Sequence, residues 1–228
     1  MAESENNPLN ADPAEPSRIV VLISGSGSNM QAIAEACAKN DINGDIVAVI
    51  SNRPDVLGLE RAAEFEIPTD VVDHKQYATR EEFDAHLIRA IDEYSPDLVV
   101  MAGFMRIVTP DFVRRYRGRL LNIHPSLLPK YKGLHTHKRA LEAGDDEHGV
   151  TVHFVTEDLD GGPNAIQAVV KILDDDNEVS LQKRVQIQEH VIYPIAVKWF
   201  VEGRLSMNKG DVYLDDQILP ESGVQLRN

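Results

Sequence analysis

The sequence predicts an α/β fold with a doubly wound, mostly parallel sheet. Short apolar runs such as 19–23 and 98–102 are continuous rather than alternating, which indicates strands covered on both faces. These runs alternate with segments of helical spacing, and that alternation favours parallel strands joined by right-handed crossovers. In the second half, 148–155 and 165–172 alternate apolar and polar residues, so some antiparallel pairing is predicted there.

The elements follow the chain in order. The signature Thr79-Arg80-Glu81-Glu82 is typical of a capping box and predicts the start of a helix. Gly203 predicts the end of the last long helix, and Pro194 inside it predicts a kink or a split. Main strands are predicted at 19–23, 45–50, 69–72, 98–102, 120–124, 148–155 and 165–172; helices at 30–39, 57–66, 79–94, 110–116, 136–143 and 178–202; and short peripheral strands at 205–207, 212–214 and 218–219.

Composition limits the class of protein. The chain has 228 residues, 43% of them hydrophobic, and a net charge of −14, which argues against nucleic acid as the main partner. Its single cysteine, Cys37, fits a reducing compartment, and no apolar run approaches the ~18–20 residues that span a membrane. We therefore expect a cytoplasmic protein without a membrane partner.

Domain organisation is also predicted. Residues 1–16 carry three prolines and four acids and predict a disordered acidic leader. A single domain is expected over 17–228, with a phosphate-binding half at about 17–116 and a catalytic half at about 117–228.

The first predicted strand is followed by the glycine-rich loop Ser24-Gly25-Ser26-Gly27-Ser28-Asn29. Free amides at a helix N-terminus bind phosphate, and glycine allows the backbone to approach a ligand. A dinucleotide site is not favoured, because the third glycine of its motif would fall at Met30. The loop predicts a monophosphate site at Gly27, Ser28 and Asn29; the alternative is a tight turn with a polar cap.

The stretch Asn122-Ile123-His124-Pro125 follows the apolar residues of a buried strand. Residues two apart on a strand share a face, so Asn122 and His124 are expected to point into one space at the strand end. An amide beside a group that carries a proton can stabilise the oxyanion of acyl transfer. Alone, the pair could equally be two hydrogen-bonding residues that cap a strand.

An acidic loop at 156–160 precedes Gly161-Gly162-Pro163. Glu157 and Asp158 are predicted to be solvated, whereas the two glycines allow the backbone to hold Asp160 near His124. An amide, an imidazole and a carboxylate, together with a phosphate loop at the same sheet end, suit transfer of an acyl group to an amine on a phosphorylated acceptor. No serine or cysteine lies where a base would activate it, so direct transfer without an acyl-enzyme intermediate is predicted.

Three histidines, His135, His137 and His148, raise the alternative of a zinc site. No acid or cysteine completes a ligand set at helical spacing, so no metal is predicted. His137 is interpreted as a surface residue, and the segment 133–136 as the floor of the site.

Six motifs resemble the phosphoribosylglycinamide formyltransferase family, which uses folate in purine synthesis. They are ISGSGSN (23–29), SNRPDVLGLERA (51–62), AGFMRI (102–107), LLNIHPSLLPKYKGLHTHKRALEAGDDEHGVTVHFV (120–155), LDGGP (159–163) and RVQIQEH (184–190). The block around HPSLLP is shared by all formyltransferases that use 10-formyltetrahydrofolate, whereas the loop SGSGSN is what points to the glycinamide ribonucleotide enzyme. Asn164 departs from the family pattern, where an aliphatic residue is expected.

The resemblance implies a Rossmann-like formyltransferase fold, with small-molecule substrates, 10-formyltetrahydrofolate as co-substrate, no metal, and a monomer or homodimer. It implies a catalytic trio of Asn122, His124 and Asp160. It also implies that Gly27, Ser28, Asn29, Gln186 and Glu189 bind the ribonucleotide, and that Arg80, Met105, Arg106, Ile107, Val108, Asn122, Thr156, Glu157, Asp158, Leu159 and Asp160 line the folate pocket.

Other functions are open at this point. Methionyl-tRNA formyltransferase would need a basic C-terminal domain, and a formyltetrahydrofolate hydrolase an N-terminal regulatory domain, for which we see no room. From another class, a regulatory protein could bind nucleotide without turnover. An intact trio argues against it, because a binding protein needs no such group of residues.

Overall fold

The computed structural model describes residues 15–227, so residues 1–14 of the predicted leader lie outside the described part. The strands are β1 (Ser17–Ile23), β2 (Gly44–Ser51), β3 (Thr69–Val71), β4 (Leu98–Met101), β5 (Leu120–His124), β6 (Glu147–Phe154), β7 (Asn164–Lys171), β8 (Leu205–Asn208), β9 (Asp211–Leu214), β10 (Gln217–Ile218) and β11 (Val224–Arg227). The helices are α1 (Ser28–Ala38), α2 (Leu57–Glu64), α3 (Arg80–Glu93), α4 (Pro110–Arg115), α5 (Thr136–Ala143) and α6 (Glu178–Val201), with a 3₁₀ turn at His74–Gln76.

Eight strands form the main sheet, in the order β11-β7-β6-β5-β4-β1-β2-β3. The pairs from β3 to β5 are parallel, whereas β6 is antiparallel to both β5 and β7. This confirms the mostly parallel sheet with antiparallel pairing in the C-terminal half. The chain runs outwards from β1 to β3 and then restarts at β4 on the other side of β1. The carboxyl ends of β1 and β4 therefore flank the kind of crevice in which α/β proteins bind ligands.

Two apolar cores cover the two faces of the sheet. One face carries alternate residues of β1 such as Val21 and Ile23 and packs against α1 and α6. The other face carries Val20 and Leu22 and packs against α3 and α4. Because successive strand residues point to opposite faces, a strand covered on both sides must be apolar throughout, which explains the continuous run in β1.

Helix α6 packs on one face of the sheet, beside α1 and over β6 and β7. The Tyr193 hydroxyl is buried and reaches the backbone carbonyls of Met101 and Leu121, at 3.0 and 3.1 Å. Pro194 lies inside the helix and does not divide it, so the predicted split is wrong. The buried residues Ile192, Tyr193, Ala196 and Val197 surround this proline, and their packing on the sheet outweighs its helix-breaking tendency.

Several helix and strand ends differ from the sequence prediction. Thr79 does cap α3 by accepting the Glu82 N–H, but the Glu82 carboxylate accepts from Ala78 rather than from the cap residue. Strand β11 was missed by the sequence analysis. It pairs with β7 in parallel, and this long-range contact has no local signature. Within residues 15–227, no helix is both long and apolar enough to cross a membrane.

Candidate active site

The side chains of Asn122 and His124 lie at the carboxyl end of β5. His124 is buried, and its Nε2 lies 2.9 Å from the carbonyl oxygen of Tyr131. Asn122 is half-buried, and its Nδ2 lies 3.2 Å from Nε2 of His153 on the antiparallel neighbour β6. A carbonyl oxygen can only accept a hydrogen bond, so the contact with Tyr131 requires a proton on His124 Nε2.

The turn that follows His124 is held by buried polar side chains. Thr151 accepts from the Leu128 N–H at 3.1 Å and donates to the Ser126 carbonyl at 2.6 Å. Gln167 donates to the Leu128 carbonyl at 2.8 Å. With its backbone groups paired in the interior, the turn keeps the Tyr131 carbonyl in place against His124.

Asp160 faces the same histidine from the opposite side. Its Oδ2 lies 3.5 Å from Nδ1 of His124 and accepts the Gly133 N–H at 2.8 Å. Asp160 itself has φ +46°, and a Cβ at Gly162 would stand 1.7 Å from the Phe154 carbonyl oxygen. The close backbone approach that only glycine permits is therefore what brings the loop, and with it the carboxylate, to His124.

Both ring nitrogens of His124 face acceptors, a carboxylate on one side and a carbonyl on the other. A doubly protonated ring satisfies both contacts, whereas a neutral ring would direct a lone pair at one of them. The side chains of His124 and Asp160 are almost wholly buried, at 8% and 9% exposure, so little water screens the pair. This arrangement can offer positive charge to a developing oxyanion.

The glycine-rich loop forms the N-terminus of α1. Gly27 is the N-cap residue, with φ +70°, and a Cβ there would lie 2.6 Å from Cα of Gly58. The helix therefore begins at Ser28 with its free amides at the crevice. Ser24 connects the loop to the residues that follow β2 and β4. Its hydroxyl donates to Asn52 Oδ1 and accepts the Met105 N–H at 2.8 Å.

Two residues of α6 meet this loop, more than 150 positions away in the sequence. Asn29 donates to Glu189 Oε2 at 2.7 Å, and Gln186 donates to the Ser28 hydroxyl at 3.3 Å. Burial raises the pKa of Glu189, and the bond from Asn29 offsets part of that rise. The five residues predicted to bind the ribonucleotide thus lie together.

A cavity of about 680 Å³ flanks the loop between α1, α2 and α6. Ser26, Ser28, Arg61, Gln186 and His190 are among its lining residues, while Asn122, His124 and Asp160 are not. The cavity therefore starts beside the loop and extends along α1 as far as Lys39 and Asp41, and it does not reach the strand-end pair.

On the other side of the crevice lies the strip 105–108, which follows β4. Met105 and Ile107 are 66% and 55% exposed, so both present apolar surface to the solvent. Arg106 places its guanidinium 5.6 Å from the centre of the Phe83 ring. Arg80 is exposed at the start of α3. The strip thus combines apolar surface with the cation of Arg106.

The loop 156–160 borders the same region. Glu157 is exposed as predicted, but its Oε1 pairs with Nη1 of Arg114 at 2.9 Å rather than with water alone. Leu159 is 51% exposed, Asp158 is exposed, and Thr156 is half-buried. The contact with Arg114 attaches the loop to α4, next to the strip 105–108.

The histidine interpretation needs one correction. His137 is buried rather than at the surface, and its Nδ1 lies 3.1 Å from Nε2 of His148. Packing of α5 against the body of the protein buries it, which helical spacing alone did not reveal. Within 15–227, no group of three or more His, Cys, Asp or Glu side chains could hold a metal ion.

Sequence reasoning missed two residues near the site. His153 contacts Asn122, and the alternation of β6 could have suggested this, because the pairing sets the two residues opposite each other. Asp84, at 2% exposure, accepts the Thr109 N–H just after the strip. A buried acid within a helix of exposed acids has no local signature.

Known proteins resemble this chain closely. The model of the family described as formyl transferase matches residues 17–197. Phosphoribosylglycinamide formyltransferase of Escherichia coli (strain K12) is 56% identical over 205 residues, which are 90% of this chain and 97% of that protein. The trifunctional purine biosynthetic protein adenosine-3 of Homo sapiens is 43% identical over 84% of this chain and 19% of its own length.

Solved structures agree with these matches. The phosphoribosylglycinamide formyltransferase of Coxiella burnetii superposes with a TM-score of 0.89 and 50% identity, over 92% of this chain and 99% of that one. The glycinamide ribonucleotide transformylase 1 of Symbiobacterium toebii gives a TM-score of 0.86 and 43% identity, over 89% and 95%. The chain therefore belongs to the formyl transferase family and, within it, to the phosphoribosylglycinamide formyltransferases.

Proposed function

We propose that this protein transfers the formyl group of 10-formyltetrahydrofolate to the amine of 5-phosphoribosylglycinamide. The products are the formylated ribonucleotide and tetrahydrofolate, and the step serves purine synthesis. The observation that carries the proposal is the placement of the His124–Asp160 pair, 3.5 Å apart, between the loop at α1 and the apolar strip after β4.

The ribonucleotide is assigned to the loop side. The net charge of −14 repels a phosphate, so phosphate binding requires hydrogen-bond donors at the site itself. The amides of Gly27, Ser28 and Asn29 at the start of α1 supply such donors. The carboxylate of Glu189 and the amide of Gln186 are placed to accept from and donate to the sugar or glycinamide groups.

The formylfolate is assigned to the strip side. Met105, Ile107 and Val108 suit an aromatic ring, because they offer apolar surface beside a polar crevice. Arg80 and Arg106 are suited to the anionic tail of a folate. The loop 156–160, with Asp160 at its end, completes this side.

The chemistry follows from the groups between the two sides. The amine nitrogen attacks the formyl carbon and forms a tetrahedral oxyanion, which the Asn122 amide and the positive charge of His124 stabilise. The amine loses one proton, which Asp160 accepts directly or through water. The bond from carbon to N10 then breaks, and N10 takes up one proton, so that no net proton is released. Direct donation from His124 Nε2 requires its bond to Tyr131 to open.

Turnover by the purified protein tests the proposal. Glycinamide ribonucleotide and a 10-formylfolate should together give a change in folate absorbance that saturates in both substrates. Saturable binding of both without formyl transfer would instead support a regulatory binding protein. Release of formate without any need for the ribonucleotide would support a hydrolase.

A further inference from the structure

A buried carboxylate lies behind the strip 105–108, and the chemistry proposed above does not use it. Asp84 lies on α3 one turn after Arg80 and is only 2% exposed. Its Oδ2 accepts the Thr109 N–H at 2.5 Å. Thr109 in turn caps α4 by accepting the Phe112 N–H. Asp84 therefore fixes the point at which the strip ends and α4 begins.

Two polar atoms at this place are buried without a partner. Among the described residues, neither Asp84 Oδ1 nor Arg106 Nε makes a hydrogen bond. One is an acceptor and the other a donor, and each buried unpaired group costs about 1–3 kcal/mol. In this structure Arg106 acts on Asp84 only through its charge. A movement of the strip that brought the two atoms into contact would remove both costs at once.

The charges nearby favour the same pairing. Burial raises the pKa of Asp84, while the N–H and the hydroxyl of Thr109 and, less strongly, the charges of Arg80 and Arg106 act to lower it. Arg106 already lies over the ring of Phe83, the residue before Asp84 on α3. Both arginines therefore act on one carboxylate through their charge, and Arg106 also has an aromatic neighbour on the same helix.

We propose that Asp84 is a positioning residue for the formylfolate: it acts through Arg106, whose Nε it accepts when the folate occupies the strip. The guanidinium is then held flat on Phe83 with its outer N–H groups directed at the anionic tail. This inference rests on the assignment of the folate to the strip under the proposed function.

The test uses charge removal with the volume kept. In Asp84→Asn the amide oxygen still accepts the Thr109 N–H, but the charge that attracts Arg106 is gone. We expect the dissociation constant of 10-formylfolate, measured by titration calorimetry, to rise about tenfold, and the KM of the ribonucleotide to change less than about twofold. Asp84→Ser, which also lacks the charge, should show the same pattern and serves if the asparagine variant does not fold.

A matched control separates positioning from stability. Asp92 lies on the same helix and pairs with Arg115 at 2.8 Å, away from the strip. Asp92→Asn should lower the melting temperature and leave folate affinity unchanged. In an Arg106→Lys background, Asp84→Asn should weaken folate binding by less than about twofold, because the partner through which it acts is already lost.

The outcomes are distinct. Unchanged folate affinity in Asp84→Asn, with a loss of melting temperature like that of Asp92→Asn, would show a purely structural role. Tighter binding would show that Asp84 only repels the anionic tail. If the losses of folate affinity in Asp84→Asn and Arg106→Lys add fully in the double variant, Asp84 does not act through Arg106. Wild-type protein that binds 10-formylfolate without formyl transfer would refute the proposed function alone, and a failure to bind it would overturn both.

Discussion

Asn29 and Glu189 join the first helix to the last by a hydrogen bond of 2.7 Å from amide to carboxylate. The bond lies where α1 presents its free amides, and it fixes the carboxylate beside the loop. Glu189 is half-buried, and the bond from Asn29 orients its carboxylate. The relationship explains how a residue on α6 can belong to the ribonucleotide side.

Glu189→Ala should weaken binding of the ribonucleotide and leave binding of the folate unchanged. The change removes an acceptor for the substrate and leaves the Asn29 amide without its partner. A hydrogen bond to a charged group is worth about 1.5–3 kcal/mol, so kcat/KM for the ribonucleotide should fall roughly 10–100-fold. Steady-state kinetics in each substrate would measure this. Val191→Ala, on the exposed side of the same helix, is the control, and an equal loss there would contradict the assignment.

Asp160→Asn should lower turnover strongly while the fold is kept. The asparagine oxygen can still accept the Gly133 N–H, but no carboxylate then faces His124. General acid–base contributions of this kind are worth about 10²–10⁴-fold in rate. Stopped assays of formyl transfer would measure the loss of turnover, and a melting curve would show whether the fold is kept. Asp175→Asn, at an exposed acid between β7 and α6, should behave like the wild type. Near-normal turnover of Asp160→Asn would remove Asp160 from the mechanism.

Two glycines of the first loop should respond differently to alanine. A Cβ at Gly27 would meet the Gly58 backbone at 2.6 Å in a left-handed conformation, whereas one at Gly25 would have no described atom within 4 Å. Gly27→Ala should therefore cost roughly 1–3 kcal/mol and weaken ribonucleotide binding, and Gly25→Ala should do neither. Chemical denaturation and isothermal titration would compare the pair. Equal behaviour would show that the loop adapts without cost.

Acid should destabilise the protein between about pH 6.5 and pH 4. Burial lowers the pKa of both His148 and His153 to about 4, so these rings stay neutral in the folded protein. In the unfolded chain they titrate near 6.5, so the unfolded state binds more protons as the pH falls through this window. Each ring then costs up to about 3 kcal/mol at pH 4.

Urea denaturation at a series of pH values would measure the effect. His148→Asn removes one of the two titrations and should flatten the loss of stability with falling pH. His135→Asn, at an exposed position, is the matched control and should leave the slope unchanged. A wild-type stability that does not vary across the window would contradict the prediction.

The sequence by itself determined most of the elements of the main sheet and their order. Continuous apolar runs mark strands buried on both faces, and the first strand, the loop at 24–29 and the polar residues 122 and 124 are all local patterns. The doubly wound sheet follows from these patterns because crossover connections are short and of one hand.

The tertiary structure decided everything that depends on distant partners. His137 is buried because α5 packs inwards. Helix α6 continues through Pro194 because the residues before and after the proline pack on the sheet. Strand β11 forms only because it pairs with β7. The same holds for Asp84, whose partner at 109 is 25 positions away. Local sequence sets propensities of a fraction of a kcal/mol per residue, whereas burial and long-range hydrogen bonds are worth more, and only the folded chain shows where they fall.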